Sequence, residues 1–305
     1  MSRQIHIANP LYDVVFRYLM EDNKVACLFL SAILGKEVQE LAFQPTEYST
    51  KIGGEMGLTV IRMDFQALIE EADGEHRLVL IELQKAKLYQ QVMRFRSYLG
   101  KQYQNSQHID SAGNPLPIYP VYILGESITK AFIPVIRVSR EYTDAATQRP
   151  IPERHPFIEA LSHDATVIQT KHLSGHRRTV LERFLSIFDQ SAQSDPKGHI
   201  LSLDEADYPE QYHLVIRRLQ KALAEPTLEA DMDIEDEVLT EFQKKDALIA
   251  KAVEKAEAAE KQAASAEQSL LAMIRRLHQS GFSEPAIANL TDMTEEELRP
   301  LLPSP

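Results

Sequence analysis

The sequence predicts an α/β protein, a mixed β-sheet flanked by helices, followed by an α-helical tail. Three observations predict it. Helical and strand-like periodicities alternate through residues 1–224. A turn signal, Ala72-Asp73-Gly74-Glu75, separates two β-rich stretches. Beyond Pro226 the apolar period changes to seven residues.

From Leu11 to Gly35 the apolar residues Val14, Val15, Tyr18, Leu19, Cys27, Leu30, Ile33 and Leu34 recur near helical spacing, and Gly35 is a natural stop. One helix is expected there. Leu58, Val60, Ile61, Phe65, Leu68 and Ile69 place strands within residues 46–71. Arg77 to Gln84 (RLVLIELQ) is a short apolar run and reads as a buried strand. Lys85 to Gln107 switches to helical spacing, with Leu88, Val92, Phe95, Tyr98, Leu99 and Tyr103 on one side. Ile118 to Leu124 reads as another strand. Pro150, Pro152 and Pro156 break up residues 140–175, with one more strand at Thr166 to Thr170. Arg178 to Gln190 and Tyr208 to Ala224 read as helices, so a first domain spans residues 1–224.

Residues 225–280 read as an acidic hinge (229–237) and a long helix. Phe242, Ile249, Ala256, Ala263, Leu270 and Leu277 are seven apart, and Ala252, Ala259, Ala266 and Met273 follow three later. That a/d pattern predicts a coiled coil and a homodimer through residues 242–280. Residues 281–305 form a short helical cap, helix-turn-helix-like in order. Ser283 can cap its first helix, and Thr294 with Glu297 makes a capping box for the second. Glu295, Glu296 and Glu297 would repel phosphates, so a compact cap fits better than a DNA reader.

The 305 residues carry 33 Lys+Arg and 45 Asp+Glu, a net charge of −12. Residues 225–305 hold 8 basic and 18 acidic residues, so −10 of that total sits in the tail. The body is near neutral and can carry a basic face. Lys85, Lys87, Arg94, Arg96 and Lys101 lie in a run without an acid. A single cysteine, Cys27, excludes a disulfide scaffold and is expected as a buried thiol. No apolar leader core is visible in MSRQIHIANP, and the most apolar window, 118–138, is interrupted by Glu126, Lys130 and Pro134. A cytoplasmic protein with no membrane segment is expected. No P-loop or dinucleotide fingerprint occurs, so no nucleotide cofactor is expected.

The chemistry concentrates on the hairpin. Asp64 lies in its first strand, Glu82 and Gln84 in its second. Strand side chains alternate, so Glu82 and Gln84 share one face while Ile81 and Leu83 take the other. A carboxylate at the end of an apolar strand is costly to bury unless it is paired or binds a cation. Asp64, Glu82 and Gln84 together make an oxygen-rich set suited to Mg²⁺ or Mn²⁺. The acids share a face only if the hairpin connection is odd in length or bulged.

Asp64 followed by Glu82-Leu83-Gln84 on a hairpin resembles the PD-(D/E)XK nuclease superfamily. The preceding LYDVVFRYLMED (11–22) and the helix with Arg94-x3-Tyr98 resemble its recombination-promoting nuclease branch, whose members are often described as transposases. The resemblance covers residues 9–225. It implies a restriction-endonuclease-like core and divalent-metal hydrolysis of DNA phosphodiester bonds, with Asp64 and Glu82 holding the metal. The superfamily usually has lysine where Gln84 stands, and Lys87 or Arg94 is the candidate replacement. Lys85 alternates to the opposite face. By the resemblance Asp13 lies near the metal site; it is also an acid at a helix N-terminus, which the dipole favours. Arg17, one turn later, can bond Asp13 or a phosphate. Arg94 and Tyr98 can hold a phosphate or pack on the sheet. Lys85, Lys87, Arg94, Arg96, Tyr98 and Arg17 are thus candidate contacts to double-stranded DNA. The alternative function is a catalytically inactive module of the same fold that binds DNA or protein through its coiled coil.

Overall fold

The structure, a computed structural model, describes residues 4–302 except 44–46, 52–57, 63–64, 72–73, 75, 86–88, 107, 111 and 176–177; at 47–51, 58–62, 71, 84, 89–94, 242 and 246 it describes the backbone alone. Asp64 and Lys87 therefore lie outside the described residues. The chain divides into two compact units, Met1–Glu241 and Phe242–Pro305.

The first unit begins with strand β1 (Gln4–Ala8), helices α1 (Asp13–Met20) and α2 (Asn23–Leu34), and strand β2 (Val38–Phe43). The single helix expected over 11–35 is two. Asp22 breaks it, because its carboxylate accepts the N–H groups of Lys24 and Val25 and caps α2. Gly35 ends α2 in the left-handed conformation, φ +73°. Next come β3 (Glu47–Lys51), β4 (Leu58–Arg62), β5 (Phe65–Glu71), β6 (His76–Gln84), α3 (Tyr89–Gln104) and β7 (Ile118–Leu124). Strand β8 (Val135–Val138), the short helix α4 (Pro156–Glu159), β9 (Ala165–Gln169), α5 (Val180–Leu185), β10 (Ile200–Asp204) and α6 (His213–Ala222) complete the body. Strand β2 buries only Val38 and Leu41, three residues apart, rather than alternate residues, which hid it from sequence reading.

Six strands form one mixed sheet in the order β2-β5-β6-β7-β9-β8, while β1 pairs with β10 and β3 with β4. Strands β6, β7 and β9 are parallel; the other pairings are antiparallel. Helix α3 is the crossover between β6 and β7. Alternation along β6 sorts its side chains onto two faces. Val79, Ile81 and Leu83 join the main core with α1, α2, α5 and α6. Leu78 and Leu80 join a smaller core against Phe95, Tyr98 and Leu99 of α3.

Helix α7 spans Leu228–Gln279. The hinge expected at 229–237 is therefore helical. Leu228 and Met232 on its first turns are buried in the main core of the body. In the second unit, α8 (Glu284–Thr291) and α9 (Glu295–Leu298) pack Ile287, Ala288 and Leu298 on Ile274, with Leu270 and Leu277 alongside. Thr294 and Glu297 form the expected capping box; Ser283 sits at the N-cap of α8 without a side-chain bond. Among the described residues no helix is long and apolar enough to cross a membrane.

Candidate functional site

Strand β6 carries Glu82 at its C-terminal end, where the carboxylate is only 3% exposed. Antiparallel pairing with β5 runs from Phe65 opposite Ile81 to Glu70 opposite His76. The connection between those pairs, residues 71–75, is odd in length, as the paired-acid reading required. The β-alternation puts Glu82 on the α3 face, away from Ile81 and Leu83. Its parallel partner across the ladder is Tyr122 of β7. Burial pushes the Tyr122 hydroxyl well above its ordinary range, and the Glu82 charge adds to that. On the same face, buried Gln66 of β5 and Gln102 of α3 exchange reciprocal amide hydrogen bonds at 3.1 and 3.4 Å. Sequence reading missed this pair; a polar residue at an α3-facing position of an apolar strand was the available signal.

The other expected residues distribute unevenly. Gln84 continues β6 opposite Leu124, with only its backbone described. Arg94 is on α3, likewise with only its backbone described, and Arg96 is exposed there. Tyr98 is fully buried among Leu78, Leu80, Phe95 and Ile118, so of its two expected roles the structure takes packing on the sheet. Arg17 bonds Asp13 one turn back on α1. Of the two roles open to Arg17, the structure takes the internal one. Among the described residues no group of three or more His, Cys, Asp or Glu is arranged to hold a metal ion.

Lys85 faces opposite to Glu82, as alternation predicts, and its partners were not anticipated. The ammonium lies 3.3 Å from the centre of the Tyr12 ring and pairs with Asp236 of α7. It is therefore engaged by Tyr12 and Asp236 in this arrangement. Burial lowers its pKa, against the opposing pull of Asp236 and Glu235. Asp236 also accepts hydrogen bonds from the Tyr12 hydroxyl at 2.9 Å and lies 3.1 Å from His199 Nε2. Burial pushes the Asp236 carboxyl up, but Lys85 and His199 outweigh that and hold it below the ordinary value. The neighbouring Glu235 accepts the backbone N–H groups of Asp13 and Val14, at 3.1 and 2.8 Å, so it caps α1. Burial is the main cause that raises its pKa to about 7, and the nearby Asp13 charge adds. Asp13 thus serves a helix terminus beside an acid from α7. No sequence signal pointed to this cluster, because its members are up to 224 residues apart.

His172 is buried and its Nε2 lies 2.9 Å from Ser127 Oγ, but that hydroxyl also donates to the Thr129 carbonyl at 2.6 Å. The imidazole therefore donates to Ser127 and staples a loop; it does not act as a base toward it. Cys27 is half-buried beside the main core rather than fully inside it, and burial raises its thiol pKa. No protein-family model, curated protein or solved structure matches this chain.

Proposed function

We propose that the protein is a divalent-metal-dependent DNA endonuclease. The observation that carries the reading is Glu82: a carboxylate 3% exposed at the end of an apolar strand, on a hairpin whose odd connection suits a second acid on the same face. Its oxygen donors, with Asp64, fit Mg²⁺ or Mn²⁺. Asp64 and Glu82 would hold the ion, and Gln84 would hydrogen-bond a water or a phosphate oxygen. When bound, the ion would polarise the scissile phosphate and acidify a water. Lys87, Arg94 and Arg96 would lie along the DNA backbone, giving salt-dependent contacts with little sequence preference. The association with recombination or mobile elements rests on the family resemblance.

A homodimer through residues 242–280 belongs to the same proposal. Ile249, Val253 and Leu248 are 50%, 51% and 67% exposed on the long helix, in or beside the heptad seam. Leu270 and Leu277 pack against the cap, so the alanine-rich part of the seam carries the association.

The test is plasmid cleavage with Mg²⁺, Mn²⁺ or EDTA, beside Asp64→Ala and Glu82→Ala. Metal-dependent cutting that both substitutions abolish supports the reading. Folded protein that binds DNA and never cuts it points instead to the inactive binding module. Cutting that survives both substitutions removes these residues from the site.

A further inference from the structure

Three acids on the first turns of α7 lie on one helix face. Glu229, Asp233 and Asp236 are spaced i, i+4, i+7. Each meets a cation of the body. Lys197 pairs with Asp233 at 2.8 Å and with Glu229 at 4.0 Å. Lys85 pairs with Asp236, and His199 lies 3.1 Å from it. Seven residues of helix rise about 10 Å. Three carboxylates over that length approach the charge density of one DNA strand, one charge per ~3.4 Å. Lys85 directly follows the end of β6, three residues after Glu82 and on the opposite face of the strand.

We propose that the first turns of α7 are an acidic strap covering a phosphate-backbone track made by Lys85 and Lys197, beside His199, so that DNA and the strap compete for the same two lysines. This rests on the nuclease reading and adds its regulation. The outer half of the contact is open to exchange, since Lys197 and Asp233 are 51% and 46% exposed. Leu228 and Met232, buried in the main core, keep the strap tethered while its acids turn away. In the strapped state the protein binds DNA through Lys87, Arg94 and Arg96 alone, with fewer released counterions than the track allows.

The experiment compares full-length wild type with Asp233→Asn and with Asp233→Asn/Asp236→Asn. Binding to a short duplex is followed by fluorescence anisotropy in EDTA across a salt series. Relieving the strap should tighten binding roughly threefold in the single variant and roughly tenfold in the double at low salt, with salt slopes steeper by about one and about two. Lys197→Gln placed in the Asp233→Asn background should cancel the gain. Among the described residues Asp233 pairs with the exposed Lys197 and lies 4.0 Å from His199 Nε2, so the single variant keeps the test valid if the double fails to fold. Equal affinities and slopes, from wild type that binds and cuts DNA, overturn the strap and leave the nuclease. A gain that Lys197→Gln does not cancel also overturns it. Absence of duplex binding by every form overturns both.

Discussion

Replacing Glu235 by glutamine should change how the stability of the body depends on pH. In the folded chain the Glu235 carboxyl titrates at about 7 instead of 4.5, chiefly because it is withdrawn from water. A raised acid pKa means that the folded state holds the proton more tightly than the unfolded chain. Its charged form therefore opposes folding. That opposition is absent below pH 4.5, grows as the pH climbs, and is complete above about 7. At full value the difference is worth about 3 kcal/mol. Glu235 is half-buried, and screening by the water that reaches it reduces this to about 1–2 kcal/mol. Glutamine cannot titrate. Relative to wild type, Glu235→Gln should thus gain about 1–2 kcal/mol between pH 5 and pH 8. Urea melts read by tyrosine fluorescence isolate the body, because all 11 tyrosines precede residue 213. Parallel pH profiles for the two proteins, or a gain toward acid pH, would refute the reasoning.

Other substitutions test single contacts. At Gly125 a Cβ would lie 2.3 Å from the Lys85 carbonyl oxygen, so Gly125→Ala should cost about 1–3 kcal/mol in the same melts; a neutral result would mean that the two strand ends separate freely. Asp22→Ala removes the cap that separates α1 from α2 and should cost about 1 kcal/mol, whereas no change would show that packing alone holds the break. Ile249→Asp puts a charge in the heptad seam and should shift a dimer to monomer in sedimentation experiments; an unchanged mass would remove the tail as the dimer contact.

Legibility followed distance along the chain. Strands 77–84 and 118–124 were readable because an apolar run or a period of two is a local property, and they are found at His76–Gln84 and Ile118–Leu124. The capping box at Thr294 and Glu297 was readable for the same reason. The face shared by Glu82, Leu80 and Leu78 also followed from alternation within one strand. The edge strand β2 escaped because its exposure pattern alternates on neither period. The break at Asp22 escaped because a cap inside an apolar helical pattern competes with that pattern, and local hydrogen bonds to Lys24 and Val25 won.

By itself, then, the sequence determined the order of the main elements, the acid at the end of β6, and the acidic heptad tail. Each is written in residues a few positions apart, and periodicity or capping chemistry decodes them. Tertiary structure alone decided what meets the charges. Lys85 and Asp236 are 151 residues apart, and Tyr12 and Asp236 are 224 apart. Packing of Leu228 and Met232 into the core brings α7 over α1 and sets Glu235 and Asp236 against its N-terminus and Lys85. Burial of Tyr98 came from the same kind of packing, across α3 and the sheet. A side chain's partner depends on which elements share a core, and no local period encodes that.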